Sequence, residues 1–558
     1  MKYRSWDTTR GLERGTHRAL YMSMGYSAED LTKPMIGIAN AWSTVVPGHF
    51  NLREISESVK EGIRQGGGTP VEFGVIGACD GIAEGHIGTR YILPTRELIA
   101  NDIEAMVEAH RFDGLVLLGS CDKIVPGMLM AAARLDIPAI LVNGGPALGG
   151  MVYSGKKCDV TALVEALGRY QVGEITEQEL RAMEDNVMPT CGSCSMLGTA
   201  NTMGCVSEAL GMTLPGTGVI PAVYAARKKA ALESGEQIVK LVEHGITSRK
   251  IISAGAIKNA IRLSSAIGGS TNVALHIPAI AYEALVDFSI DMFEKLSDQT
   301  PLLVKINPAG PANVPDFHDA GGVQAVLKEL EHLLDGEALT VTGKTVAENL
   351  SAVVRRSDRE VIRSIDDPYS ESGGLAVLWG NLAQEGAITK PAAIDPATYY
   401  FQGHAKVFDS EAETNQAIMD GKVQAGDVVV VRYEGPKGGP GMPEMFRAMK
   451  LLNGMGLAKK TALITDGRFS GTNNGCFVGH ISPEATEGGT LAVVENGDTI
   501  TIDITKRNIH LDVSEEELAA RFKKWERPAP RIESGYLRMY ARLARSASYG
   551  AIIPHREL

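Results

Sequence analysis

Apolar residues follow two different spacings in the first third of the chain. Residues 95–110 carry apolar side chains at helical spacing with acidic residues on the other face, which predicts an amphipathic helix. The apolar runs 115–118 and 138–142 come next, and each ends in a turn that contains glycine. Such alternation is typical of a parallel sheet covered by helices. Ligands of these sheets gather beyond the carboxyl ends of the strands, where we expect Cys121.

The second half of the chain has a different pattern. Residues 200–290 are predicted to be mainly helical, whereas strand-like runs dominate after about residue 365. The predicted strands lie at residues 375–378, 427–433, 461–465 and 499–511. We therefore expect an N-terminal α/β domain at residues 1–370 and a C-terminal β-rich domain at residues 371–558.

Composition narrows the class of protein. The 558 residues carry a net charge of −12, which argues against non-specific binding to nucleic acid or to anionic membranes. No window has the length and apolar character of a membrane span, and the start of the chain lacks the apolar stretch of a secretory signal. We expect a cytoplasmic protein. Its seven cysteines, an odd number, fit free thiols, metal ligands or catalysis better than a disulfide framework.

Four cysteines lie in polar loops rich in glycine. Two of them precede an aspartate, in Cys79-Asp80 and in Cys121-Asp122-Lys123, and the others form a Cys191-x-x-Cys194 pair. Thiolates are soft ligands that suit iron–sulfur clusters or zinc, and carboxylates are hard ligands that suit Mg²⁺. The alternatives are buried structural cysteines, which fit Cys158, Cys205 and Cys476 better, and aspartates that cap turns.

Two loops of the second domain are further candidates. Residues 433–444 follow a strand and contain too many glycines and prolines for regular structure, so their backbone can approach a ligand closely. Residues 465–471 follow another strand and combine Asp466, Arg468 and Ser470, although a turn capped by Asp466 is an equal alternative. Ser470 has no G-x-S-x-G context, which argues against acyl transfer. Beside Mg²⁺ or a cationic cluster, its hydroxyl can serve as a general base.

Several of these segments resemble one protein family. Residues 121–127, 434–444, 465–471 and 479–485 look like the signature segments of the dihydroxy-acid/6-phosphogluconate dehydratase family. Residues 91–97, 269–272 and 340–349 extend the likeness over almost the whole chain. Segments 46–49, 339–350, 367–370 and 380–382 are similar to the branched-chain dihydroxy-acid enzymes, whereas 79–80, 118–125 and 197–201 are similar to the sugar-acid branch.

The resemblance implies a set of metal ligands. Cys121 and Cys194 match cluster ligands, and Cys79 replaces a cysteine that two-iron members carry where this chain reads Pro47-Gly48. This favours a [4Fe–4S] cluster on three thiolates, with [2Fe–2S] as the alternative. The other matches are the Mg²⁺ ligands Asp80, Asp122 and Glu444, the lysine Lys123, which is carbamylated and binds the metal in some members, and the proposed base Ser470. Residues 471–476 differ from the turn that is commoner in the family. The difference affects the substrate contacts that the resemblance implies, but not the match of Ser470.

The resemblance also implies architecture and activity. An N-terminal cluster-binding domain would face a barrel-like, swivelling C-terminal domain that supplies the serine and one Mg²⁺ ligand, in a homodimer or a dimer of dimers. The expected reaction is dehydration of 2,3-dihydroxy-3-methylbutanoate and its 3-methylpentanoate analogue to 2-oxo acids, in valine and isoleucine biosynthesis. The alternatives are a dehydratase for gluconate, xylonate or 6-phosphogluconate and, in another class, an iron–sulfur redox or sensing protein.

Overall fold

A parallel sheet of four strands forms the centre of the N-terminal half. The computed structural model describes residues 2–150, 152–153, 156–171, 173–355, 359–469 and 475–556. Across the sheet the strands follow the order Thr69–Gly74, Met35–Asn40, Gly114–Gly119 and Ala139–Asn143. The last two are almost continuously apolar and fully buried, as expected for strands that are covered on both faces. This confirms the predicted parallel sheet.

Helices surround this sheet and fill most of the region up to residue 351. The predicted helix at 95–110 is present and begins six residues earlier, at Thr89. The α-helices of this half are Trp6–Thr9, Gly15–Ser23, Leu52–Gln65, Asp80–Ala83, Thr89–His110, Ile124–Leu135, Val160–Gln171, Glu177–Asn186, Thr199–Ala209, Ala225–His244, Ser248–Ile251, Ala254–Ala266, Val273–Ala284, Ile290–Asp298, Val314–Asp319, Gly322–Glu329 and Val346–Ser351. None of the helices in the described part of the chain has the length and apolar character needed to cross a membrane.

The C-terminal half is built on a mixed sheet of eight strands that is nearly closed into a barrel. Across the sheet the order is Cys476–Val478, Ala462–Thr465, Asp427–Val431, Tyr400–Phe408, Thr499–Asp503, Asn508–Leu511, Ala376–Gly380 and Ala383–Thr389. Ile388 and Gly479 join the two end strands through hydrogen bonds of 2.8 and 2.9 Å between their backbones. The sheet therefore has the barrel-like form that the resemblance implies.

Apolar side chains lie on both faces of this second sheet. Along the strand Asp427–Val431, Val428 and Val430 pack into one buried cluster, and Val429 and Val431 pack into another. The second cluster is covered by the helices Glu411–Met419 and Arg447–Gly454, and the helices Glu515–Lys524 and Gly535–Leu543 follow the sheet. The predicted tract 499–511 is a hairpin of two strands, because residues 504–507 form its turn.

Buried polar contacts join the two halves. Arg96 donates a hydrogen bond of 2.7 Å to the carbonyl of Gly550, and Tyr536 donates one of 2.7 Å to the carbonyl of Pro94. Arg90 forms a 3.3 Å ion pair with the buried Glu434. The helix Thr89–His110 is therefore held against loops of the second half, and the candidate residues lie along this junction.

Candidate active site

Three carboxylates meet where the two halves join. Ligand oxygens of Asp80, Asp122 and Glu444 lie within 4.8 Å of one another, and no other group of three His, Cys, Asp or Glu ligands in the described residues is as close. Asp80 Oδ1 is buried and makes no hydrogen bond with any described residue. A buried carboxylate oxygen without a partner, in a tight group of three acids, suits a hard divalent cation.

Each carboxylate is positioned by a strand or by a turn that follows one. Asp122 comes after the strand Gly114–Gly119, and Asp80 opens the short helix Asp80–Ala83 that follows Thr69–Gly74. Glu444 begins a two-residue strand that pairs in parallel with Arg468–Phe469. The first two are therefore placed by the carboxyl ends of the parallel sheet, and the third arrives from the other half of the molecule.

Lys123 lies among the three acids. Its Nζ is 3.1 Å from Asp80 Oδ2, 3.4 Å from Asp122 Oδ2 and 3.9 Å from Glu444 Oε2. Burial opposes ionisation of Asp80, but Lys123 and Arg468 outweigh it and lower the pKa of that carboxyl. Burial raises the pKa of Asp122 and of Glu444, and the nearby charge of Asp80 acts in the same direction. Three acids with so few compensating charges fit an additional cation.

Arg468 is the second buried cation of the site. Its Nη1 donates to Glu444 and, over 3.3 Å, to Asn272 Oδ1, while its Nε donates over 2.8 Å to the carbonyl of Met442. Its Nη2 is buried without an acceptor among the described residues. A guanidinium donor left unpaired beside a carboxylate cluster is suited to an anionic ligand.

The thiols of Cys79, Cys121 and Cys194 form a neighbouring group. Burial raises the pKa of Cys121, and the charges of Cys79 and Cys194 act on it as well. Burial likewise raises the pKa of Cys194, with contributions from Asp122 and Cys79. In the described part of the chain, the three sulfur atoms do not form a group in which every ligand atom lies within 4.8 Å of the others. The cysteines in the described residues form no disulfide, so these three thiols are available as metal ligands.

A glycine leaves room beside this group. A Cβ atom at Gly48 would lie 2.6 Å from Cys121 Sγ, and the Cys121 backbone itself has the left-handed φ of +68° that is uncommon for residues other than glycine. Strained backbone of this kind concentrates at functional sites. Cys191 differs from Cys194, because the groups that shift its pKa include no other cysteine side chain. Of the Cys-x-x-Cys pair, only Cys194 interacts with the other thiols.

Of the two candidate residues Ser470 and Asp466 in the second half, the structure describes only Asp466. Ser470 and residues 471–474 lie outside the described residues, so the predicted base and the unusual turn remain predictions. Asp466 accepts hydrogen bonds from the backbone of Tyr433, Glu434 and Ala485, at 2.9 to 3.1 Å. The alternative of an aspartate that caps a turn is therefore correct for Asp466, which holds the loop 433–444 in place.

Four polar groups near the site were not among the residues that the sequence predicted as ligands or base. Arg468, His276, His480 and Glu84 all interact electrostatically with one another or with the three acids. Burial lowers the pKa of His480 to about 3 and keeps it neutral, and burial raises the pKa of Glu84 to about 8. Arg468 lies in the motif 465–471 and His480 in the motif 479–485. The sequence therefore indicated these two segments, but not what the two residues do.

Comparison with known proteins gives the class that fits this fold and site. The N-terminal domain of the dihydroxy-acid/6-phosphogluconate dehydratases matches residues 33–349, and the C-terminal domain of the same family matches residues 360–551. A junction of α/β and barrel-like halves, with three acids that could hold a metal ion, is therefore that of a metal-dependent dehydratase. The chain belongs to the dihydroxy-acid/6-phosphogluconate dehydratase family.

Curated relatives within the family are similar over their full length. A dihydroxy-acid dehydratase of Caldanaerobacter subterraneus subsp. tengcongensis is 53% identical over 551 residues, which cover 98% of this chain and 99% of the relative. The dihydroxy-acid dehydratase of Caldicellulosiruptor saccharolyticus is 52% identical over 98% of this chain and 99% of its own length. That of Acetivibrio thermocellus is 51% identical over 99% of this chain and the whole of the relative.

Proposed function

We propose that this protein is a dihydroxy-acid dehydratase that converts 2,3-dihydroxy-3-methylbutanoate and its 3-methylpentanoate analogue to 2-oxo acids, in valine and isoleucine biosynthesis. The observation that carries the proposal is the junction itself, where a tight group of three carboxylates lies beside three free thiols. The names of the full-length relatives support the choice of substrate.

We assign the ligands as follows. Asp80, Asp122 and Glu444 would hold Mg²⁺, and Cys79, Cys121 and Cys194 would hold an iron–sulfur cluster, [4Fe–4S] rather than [2Fe–2S]. Bound there, the two groups would supply Lewis acids for the carboxylate, the 2-hydroxyl and the leaving 3-hydroxyl of a substrate. Lys123, within 3.1 Å of Asp80, would join the Mg²⁺ ligands once carbamylated, since carbamylation replaces its positive charge with an oxygen donor.

The chain's own residues would bind the substrate and move its proton. Arg468 Nη2, a buried donor without an acceptor among the described residues, would donate a hydrogen bond to a carboxylate oxygen of the substrate. Ser470 would remove the proton from C2, which is weakly acidic because it lies next to a carboxylate. Loss of the C2 proton and of the 3-hydroxyl, which together make one water, leaves an enol. The enol becomes the 2-oxo acid when C3 gains a proton and the 2-hydroxyl loses one, without net oxidation. The neutral His480 and the buried surroundings would keep bulk water away from these steps.

We further propose a cytoplasmic homodimer or dimer of dimers, with residues 1–370 as the cluster-binding domain and residues 371–558 as the domain that supplies Ser470 and Glu444. The N-terminal family match ends at residue 349 and the C-terminal match begins at residue 360, which supports a boundary close to this one. Neither nucleic acid nor a membrane is expected as a partner, given the net charge of −12.

A substrate panel tests the proposed reaction. Protein purified without oxygen is assayed for 2-oxo acid from the two branched-chain dihydroxy acids and from gluconate, xylonate and 6-phosphogluconate. We expect the branched-chain acids to give the highest kcat/KM. Turnover of the sugar acids alone would assign the chain to the sugar-acid branch, and no turnover by protein with full iron and sulfide would favour a redox or sensing role.

The variant Ser470→Ala tests the base. We expect iron, sulfide and Mg²⁺ contents to stay unchanged while kcat falls by about 10²–10⁴-fold, the usual contribution of a positioned general base. Ser351→Ala, at an exposed helix end, is the matched control and should keep full activity. A wild-type rate in Ser470→Ala would remove Ser470 from the mechanism.

A further inference from the structure

A cavity of about 630 Å³ lies in the C-terminal half, outside the group of acids and thiols. Its walls come from the loop that starts at Tyr433, from the turn at residues 486–487 and from the segment 527–542. The volume is that of a site for a small molecule. The cavity shares no lining residue with the proposed ligands of Mg²⁺ or of the cluster.

The acidic groups of this cavity are already paired with cations. Asp409 forms a 2.5 Å ion pair with Arg432. Glu487 pairs with two cations, Lys437 at 2.7 Å and Arg527 at 2.6 Å. The carboxylates therefore leave no negative charge to balance further cations on the cavity wall.

Two arginines of the cavity remain unpaired. Arg538 and Arg542 lie one helical turn apart on the helix Gly535–Leu543, line the cavity and form no ion pair or hydrogen bond within the described residues. Altogether the walls carry five cationic side chains and two acidic ones, in a chain whose net charge is −12. A local excess of arginine on a negatively charged protein is suited to an anion.

The remaining walls indicate what kind of anion fits. Thr486 Oγ1 is buried at the cavity wall and lacks a hydrogen-bond partner among the described residues. Two neighbouring guanidinium groups and one hydroxyl donor match the three oxygens of a phosphoryl group. Tyr433, Pro440 and Ile532 add apolar surface, which an inorganic ion would leave uncovered.

We propose that this cavity binds a small organic phosphate, with the phosphoryl group against Arg538, Arg542 and Thr486 and the organic part against Tyr433 and Pro440. The site is distinct from the proposed dehydration site, because none of its lining residues is a proposed ligand of Mg²⁺ or of the cluster, or the proposed base.

Calorimetric titration of the holoprotein tests the site, with phenyl phosphate, inorganic phosphate and benzoate as probes. We expect phenyl phosphate to bind more tightly than the other two, and to bind equally well when the dihydroxy-acid substrate is saturating. No binding of phenyl phosphate, equal binding of benzoate, or displacement by the substrate would each overturn the proposal.

Matched variants locate the binding. The double variant Arg538→Gln/Arg542→Gln should weaken phenyl phosphate binding at least tenfold. The control Arg64→Gln/Lys258→Gln removes the same charge from exposed positions of the other half and should bind like the wild type. Arg542→Gln alone, at an exposed position, serves if the double variant does not fold. Undiminished binding in the folded variants, or a change of their oligomeric state in solution, would contradict a small-molecule site here.

Discussion

Cys79 is the residue on which the proposed third cluster ligand depends. It caps the helix Asp80–Ala83 directly before a proposed Mg²⁺ ligand, and its charge acts on both Cys121 and Cys194. Cys191 has no such interaction. The position of a thiol relative to the other thiols, rather than its spacing in the sequence, distinguishes a ligand from its neighbour.

The variant Cys79→Ser tests this assignment. We expect iron affinity to fall by more than about tenfold, because even changes behind a metal ligand commonly cost about 10–100-fold. Iron and sulfide analysis and the visible spectrum of anaerobically purified protein measure the loss. Cys205→Ser, at a fully buried cysteine outside the group, is the control and should keep its iron. Normal iron content in Cys79→Ser would transfer the third ligand to another residue.

Lys390 is a buried cation without a charged partner in the described residues. Its side chain is 1% exposed, and burial lowers the pKa of its amine from 10.5 to about 8. Between those two pH values the unfolded chain binds more protons than the folded one, so the wild type gains stability as the pH rises through this window. At pH 7 the amine is charged in both states and the full cost of burial is present.

Lys390→Met should therefore stabilise the protein at pH 7. The lowered pKa corresponds to about 3 kcal/mol, and the advantage of the variant should shrink as the pH is raised from 8 towards 10.5. Differential scanning calorimetry at several pH values measures the difference in stability between the variant and the wild type. Lys459→Met, at an exposed position, is the control. A lower melting temperature for Lys390→Met at pH 7 would contradict an uncompensated buried charge.

At the scale of elements, helix packing around the first sheet depends on close backbone contact. The helices Leu52–Gln65 and Ala225–His244 approach so closely that a Cβ at Gly62 would lie 2.0 Å from the carbonyl oxygen of Leu232. Backbone atoms cannot move aside as a side chain can. A methyl group there must push the two helices apart.

Gly62→Ala should destabilise the N-terminal half by about 1–3 kcal/mol, the usual cost of overpacking, despite the better helix propensity of alanine. Thermal unfolding followed by circular dichroism measures it. The same substitution at Gly168, in the helix Val160–Gln171, meets no atom within 4 Å and should stabilise slightly. Equal effects at both positions would show that propensity, not packing, decides.

The elements also show which parts of the site the sequence could predict. Alternating helices and apolar strands identified the parallel sheet, and its carboxyl ends located Asp122 and Cys121, because local periodicity determines both. Glu444 could be assigned only through the resemblance, since its place depends on how the barrel docks against that sheet. His276 and His480 were not singled out, because a buried neutral histidine among apolar residues has no local pattern of its own.

At the scale of the whole molecule, the proposed Mg²⁺ site joins the four-stranded sheet to the eight-stranded sheet. Asp80 and Asp122 belong to the parallel sheet, whereas Glu444 belongs to the loop that Asp466 anchors to the barrel. An ion that binds these three carboxylates only in the folded state raises the free energy of unfolding by RT ln(1 + [L]/Kd). This is about 2.7 kcal/mol when the free ion is at a hundredfold excess over Kd. Mg²⁺ should therefore stabilise both halves together.

Glu444→Gln removes the contribution of the barrel half to this site. We expect the wild-type holoprotein to melt at a higher temperature with Mg²⁺ than after its removal, and the variant to lose most of this difference. Glu208→Gln is the matched control: Glu208 is also buried, but it accepts hydrogen bonds from Gly216 and Gly218 away from the site, so its variant should melt earlier yet keep the response to Mg²⁺. Calorimetry and metal analysis measure both. If Glu444→Gln kept the full Mg²⁺ response, the ion would be bound by the N-terminal half alone, and closure of the two halves would have to depend on direct contacts such as Arg90 with Glu434.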